Sequence, residues 1–195
     1  MTSNHGRRPV RGFSILELII VVAITLVVSA VAIPQVIAAS QNFKLRSTAS
    51  SLSGVIQKCR MLAVARNGRY RVVAVTSSNV TSVFVDLNAS GTLDQTDENT
   101  NTLQLLAGMA IDSSGSHPSE TSIAGGLTAV NALPQFNPRG LPCFLSSGVC
   151  NVDPSKIYIS YLRQDLPGGG TGWAAVTVFP AGRAQVWTWD GSNWE

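Results

Sequence analysis

Histidine is almost missing from this chain. Among 195 residues there are two histidines, His5 and His117, and three cysteines. So few nitrogen and sulfur ligands, none at metal-binding spacing, exclude a zinc or iron–sulfur centre of the usual patterns. Neither a nucleophile elbow nor a phosphate-cradling glycine loop occurs, so acyl and phosphoryl transfer have no residues to work with. Charge is scarce too: only 13% of residues are Asp, Glu, Lys or Arg, about half the usual share. Three of the 14 basic residues, Arg7, Arg8 and Arg11, crowd the first dozen positions, leaving 11 against 11 acidic residues in the remainder. That balance excludes a wholesale nucleic-acid binder. No internal repeat is present. The chain reads as a non-enzyme.

What the chain does have is one long apolar run. From 13 to 33 every residue is apolar or small and uncharged, except Glu17. At about 1.5 Å per residue this stretch makes a helix long enough for a hydrocarbon core of roughly 30 Å. A carboxylate within such a helix resists insertion by a few kcal/mol, less near an end than at the centre, and calls for a partner. Two simpler readings compete. An ordinary secretory signal would use the arginines, the apolar stretch and Ala30-Val31-Ala32 as a cleavage site, with Arg7-Arg8 as a weak twin-arginine hint. A plain membrane anchor would leave Gly12-Phe13 and Glu17 without a role.

The segment G-F-S-I-L-E-L, Gly12 to Leu18, resembles the processing motif of the type IV pilin and type II secretion pseudopilin superfamily. The resemblance implies cleavage after Gly12 by prepilin peptidase, N-methylation of Phe13, and recruitment to neighbouring subunits through Glu17. It implies insertion in the inner membrane as a single-pass protein with the basic leader inside and the C-terminal domain periplasmic, then assembly with other pilins through an inner-membrane platform. A neighbour's Glu17 can neutralise the new α-amine where water is scarce.

Beyond the run the helix is predicted to continue. Leu45, Ala49, Leu52, Ile56, Cys59 and Ala63 recur at steps of four and three, forming one apolar stripe, while Lys44, Ser47, Ser51 and Lys58 fall largely off it. Pro34 lies inside and is expected to kink or open the helix, since it removes a backbone donor. Asn67-Gly68 reads as the stop. From Tyr70 the period changes to two. Strands are expected at 71–76, 80–86, 102–106, 122–128, 156–162, 173–179 and 183–189, with mobile loops at 112–120 and 168–170. The organisation is a leader at 1–12, a membrane segment at 13–33, an amphipathic continuation at 34–67 and a β-rich domain at 68–195. The fold class is α+β, a long helix packed on an antiparallel β-sandwich.

R-M-L-A-V-A-R-N-G, F-N-P-R-G at 136–140 and V-T-V-F-P-A-G-R-A at 176–184 are similar to landmarks of the FimT/GspH group, which comprises minor pilins and the H-type pseudopilin. In that reading Arg139-Gly140 and Gly182-Arg183 are hairpin turns. DNA-uptake members of the group carry a basic patch around the second turn. Here Gly182-Arg183 is followed by Ala184-Gln185, so one arginine stands alone and DNA capture ranks below assembly. A membrane-anchored binding domain that never polymerises is a further alternative.

Smaller features add candidates. Seven cations lie between Lys44 and Arg71 with no acid, followed by six acids between Val72 and Pro138 with no base. That asymmetry fits complementary subunit surfaces, contact with anionic lipid, or a solvated helix face equally. In an oxidising compartment Cys143 and Cys150 are expected to pair, with Cys59 a buried apolar residue. Asp86, Asn88, Ser90, Asp94 and Asp97 stand at positions 1, 3, 5, 9 and 12 of a calcium-type loop with Gly91 at 6, although the flanks read as strands; Ca²⁺ or a plain polar turn are the alternatives. Arg183, Gln185, Trp187 and Trp189 share one strand face. It reads first as sandwich interior and second as a surface for a partner or for nucleic-acid bases.

Overall fold

The computed structural model describes residues 13–98, 102–112, 114–146, 148–166 and 169–195. The leader, Gly12 included, lies outside the described residues. The chain divides into two units, the first ending at Ser40 and the second spanning Gln41–Glu195. Helix α1, Ile15–Ala65, runs through that boundary and contains Pro34.

In the first unit, every described residue from Phe13 to Ser40 is exposed. An 18-residue window within α1 has mean hydropathy 2.8 and none of it is buried. An apolar surface of this length is long enough to cross a bilayer. The helix continues past Pro34, which has no amide hydrogen to offer the carbonyl of Ala30.

In the second unit, α1 buries Leu45, Ala49, Leu52, Ile56, Cys59 and Ala63, the whole predicted stripe, together with Thr48 and Val55. It ends where the sequence indicates. The Gly68 amide donates to the Ala63 carbonyl and the Asn67 amide to that of Val64, a Schellman closure. Asn67 itself takes the left-handed conformation, with φ 46°.

The strands follow as β1 Tyr70–Ser77, β2 Val80–Asp86, β3 Leu103–Gln104, β4 Met109–Asp112, β5 Thr128–Asn131, β6 Gln135–Phe136, β7 Phe144–Ser146, β8 Val149–Asn151, β9 Lys156–Asp165, β10 Thr171–Val178 and β11 Ala184–Thr188, with short helices α2 Gln95–Glu98 and α3 Thr121–Ala124. One sheet has the order β3-β2-β1-β6 and another β11-β10-β9-β4; β7 and β8 form a separate hairpin. Pairing is antiparallel except for β5, which runs parallel to β9.

The main core gathers the α1 stripe with Val72, Val83 and Val85 of the first sheet and Leu162, Ala174, Val176 and Val178 of the second. Each fully buried Leu, Ile or Val contributes about 1.5–3 kcal/mol. On the other face of β9 and β10, Ile157, Ile159, Tyr161, Trp173 and Ala175 form a second cluster with Ile123, Ala124 and Trp194. Burial on both faces explains why these two strands read as nearly continuous apolar runs.

Two expectations need correction. The segment 122–128 is not a strand: α3 covers Thr121–Ala124, and Gly125 and Gly126 turn the chain with φ of 59° and 80° before β5 begins. The loop expected at 112–120 includes the end of β4 and carries an anchored side chain, His117 (below).

Candidate functional site

Phe13 is 72% exposed, and Glu17 is the acidic residue in the first turn of α1. A carboxylate there is favoured by the positive end of the helix dipole, which gives Glu17 a local role besides any intermolecular one. Between Glu17 and Lys44 no charged side chain occurs. The apolar face of this segment has no partner among the described residues, so the chain by itself leaves it to lipid or to other helices.

A second constellation sits within the globular unit, where Arg60 of α1 reaches both glycine–arginine turns. Its Nε donates to the Gly140 carbonyl at 2.9 Å, one terminal nitrogen to Gly182 at 3.0 Å and the other to Ala181 at 3.3 Å. The planar guanidinium suits this threefold grip, and each charge-assisted bond exceeds a neutral one. The turns nearly touch: a Cβ on Gly182 would lie 2.9 Å from the Gly140 oxygen and 2.8 Å from Arg60. Asn137 shapes the first turn, its Oδ1 accepting from the amides of Arg139 and Leu141 at 2.9 and 3.1 Å. Arg139 and Arg183, both exposed, thus flank a single place although the sequence separates them widely.

The expected Arg183–Trp face divides. Trp187 and Trp189 are half-buried against the second cluster, and Trp187 Nε1 donates to Thr177 Oγ1 at 3.0 Å. Ala184 and Val186, on the opposite face, pack on the main core. The basic stretch divides as well. Arg46 donates to Thr188 Oγ1 at 3.0 Å, Arg69 to the Gly148 carbonyl at 3.0 Å and Arg71 to Asp86, which with Arg60 commits four of the seven cations to this same unit.

At the calcium-type loop, Asp86 is buried and its Oδ2 is 2.7 Å from an Arg71 nitrogen, with the Gly91 amide at 3.0 Å. Asp97 Oδ1 accepts from the Leu87 amide at 2.9 Å. Asn88 donates to Asp94 through its side-chain nitrogen and accepts from the Ser90 amide. A guanidinium therefore supplies the positive charge Asp86 requires, and the Asn and Asp oxygens serve the turn. Among the described residues no three His, Cys, Asp or Glu side chains are grouped to hold a metal ion. This donor set does not fit Ca²⁺, which needs six to eight converging oxygens.

Cys143 and Cys150 are joined across the β7–β8 hairpin with their Cα atoms 5.2 Å apart. Cys59 is free and buried, and burial, helped by the Asp86 charge, pushes its thiol well above the ordinary range. Such a thiol is inert.

Sequence reasoning missed His117. Its ring stacks on Tyr161 with centroids 3.8 Å apart, and both ring nitrogens are engaged, Nδ1 with the Pro118 carbonyl at 3.1 Å and Nε2 with the Asn131 amide nitrogen at 2.9 Å. A carbonyl only accepts, so Nδ1 carries the hydrogen and Nε2 accepts, leaving neither nitrogen for a metal or a reacting proton. No local signal marks this; the Ser/Pro/Gly surroundings read as loop.

Residues 7–33 match the family model of the prokaryotic N-terminal methylation motif. No curated protein and no solved structure matches the chain. The match supports a type IV pilin-like precursor, a class whose members are in general structural proteins that prepilin peptidase processes and that assemble with other pilins.

Proposed function

We propose that this chain is a minor pilin or pseudopilin of the FimT/GspH type, a structural subunit of a type IV pilus or a type II secretion pseudopilus. It is cut after Gly12, methylated on Phe13 and extracted from the inner membrane into the filament or its tip, with the β-rich unit periplasmic. The observation that carries this reading is Glu17: a single carboxylate in a fully exposed apolar helix, within a methylation motif. Cleavage leaves a cationic amine on Phe13, four residues and about 6 Å of helical rise from Glu17. Between neighbouring subunits, carboxylate and amine at about 4 Å attract by about 4 kcal/mol at an effective dielectric of 20. Glu17→Ala should insert and be cleaved normally yet fall at least tenfold in sheared filament fractions. Incorporation at wild-type levels would refute the assembly role and leave a non-polymerising anchored domain.

One observation favours DNA capture as a second reading. Arg139 joins Arg183 beside Arg60, so the patch that is a single arginine in sequence holds two exposed guanidinium groups in space. Few phosphate contacts still imply weak, sequence-independent binding with a shallow salt slope. Submicromolar affinity for duplex DNA near physiological salt, lost in Arg183→Ala, would place this reading first.

A further inference from the structure

A cavity of about 580 Å³ in the globular unit has Gln41, Lys44, Leu106, Met109, Gln164 and Asp165 among its lining residues. Its polar groups are unevenly satisfied. Gln164 is 4% exposed; its side-chain nitrogen donates to the Gln41 side-chain oxygen, while its own Oε1 is buried without a donor among the described residues. Lys44 is exposed and forms no ion pair among the described residues. Asp165 keeps its carboxylate 64% exposed. Leu106, itself 49% exposed, and the buried Met109 provide an apolar wall. Gln41 and Lys44 also follow, in the chain, almost directly upon the apolar residues Val36 to Ala39.

We propose that this cavity holds a phospholipid headgroup carrying a primary ammonium, a zwitterion of the phosphatidylethanolamine kind. Lys44 meets the phosphate as a point charge. The ammonium brings three N–H donors, one for the orphaned Gln164 Oε1 and another for Asp165. Leu106 and Met109 receive the less polar glycerol end. A choline headgroup has the same charges but no N–H, so it leaves Gln164 Oε1 unsatisfied; a glycerol headgroup offers hydroxyl donors but no cation for Asp165. The inference rests on the membrane-anchored reading of residues 13–33, which brings Gln41 and Lys44 to the bilayer surface.

The full chain, reconstituted in nanodiscs of equal phosphatidylethanolamine, phosphatidylglycerol and phosphatidylcholine and then moved to detergent, should retain one phosphatidylethanolamine by native mass spectrometry. Enrichment over each other lipid should be about tenfold. Lys44→Gln and Asp165→Asn, at surface-accessible side chains, should each lower it at least fivefold, and Gln164→Leu should abolish it. Soluble phosphoethanolamine and inorganic phosphate at micromolar concentration should not be retained; retention of either would overturn lipid as the source. Equal retention of the three lipids, preference for phosphatidylglycerol, or variants that match wild type would overturn the site. Carbonate extraction separates the two failures. A chain released from membranes defeats the anchored reading itself, whereas an inserted chain without enrichment defeats only this site.

Discussion

Glycine at 182 is required twice over, by its backbone and by its neighbours. Gly182 and Gly148 have almost the same dihedral, φ 79° and 80°, but a Cβ on Gly148 meets nothing within 4 Å while one on Gly182 strikes Arg60 and the Gly140 carbonyl. Alanine at either position suffers left-handed strain of about 1–2 kcal/mol. At Gly182 it also displaces a guanidinium whose hydrogen bonds are worth about 1.5–3 kcal/mol each. Gly182→Ala should therefore lose at least about 2 kcal/mol more than Gly148→Ala in urea unfolding followed by tryptophan emission. Equal losses would mean that Arg60 contributes nothing to joining the turns. Tyr158 supplies a pH dependence. Burial pushes its phenol up to about 12 against an opposing hydrogen bond with Gln135, and burial raises Tyr161 as well. A folded-state pKa above the unfolded value of about 10 means stabilisation that is complete below pH 10 and lost as pH rises through 12. The urea midpoint should fall across that window, less steeply in Tyr158→Phe; an unchanged slope would assign the effect to other groups.

Among the elements, the β7–β8 hairpin depends most on a covalent tie. It forms a two-stranded sheet of its own, and a lone hairpin is marginal in water. The bridge between Cys143 and Cys150 closes a loop of seven intervening steps, worth about 2.5 kcal/mol on the chain-entropy scale. Maleimide labelling of exported protein should find no reactive thiol when folded, one when unfolded without reductant and three after reduction. Three before reduction would show that the pair is not bridged in the exported chain. The longer strands β1, β2, β9, β10 and β11 were legible in the sequence because each carries several β-branched or aromatic residues between turn signals. Elements of two to four residues, β3 to β6, were not, since too few residues exist for a period to register and distant neighbours decide their pairing. At 122–128 the apolar content looked like a strand, and two glycines at positive φ made it a helical turn and a corner instead.

For the molecule as a whole, function divides between an exposed apolar helix and a folded unit with its own core. The first implies processing, and the mature chain should begin at Phe13 with a methylated amine when the membrane fraction is analysed by mass spectrometry. A start at Ile33 would establish an ordinary secretory signal in its place. The sequence by itself determined the long helix, its buried stripe, its stop at Asn67-Gly68 and the methylation motif, because each rests on residues within a few turns of one another. Only the tertiary structure decided what residues far apart in the chain do together. It gave Arg71 to Asp86 where a calcium loop was expected, set His117 on Tyr161, and gripped the turns at Gly140 and Gly182 with Arg60. A charge or a ring finds its partner through sheet register and packing, and no local pattern of side chains specifies those.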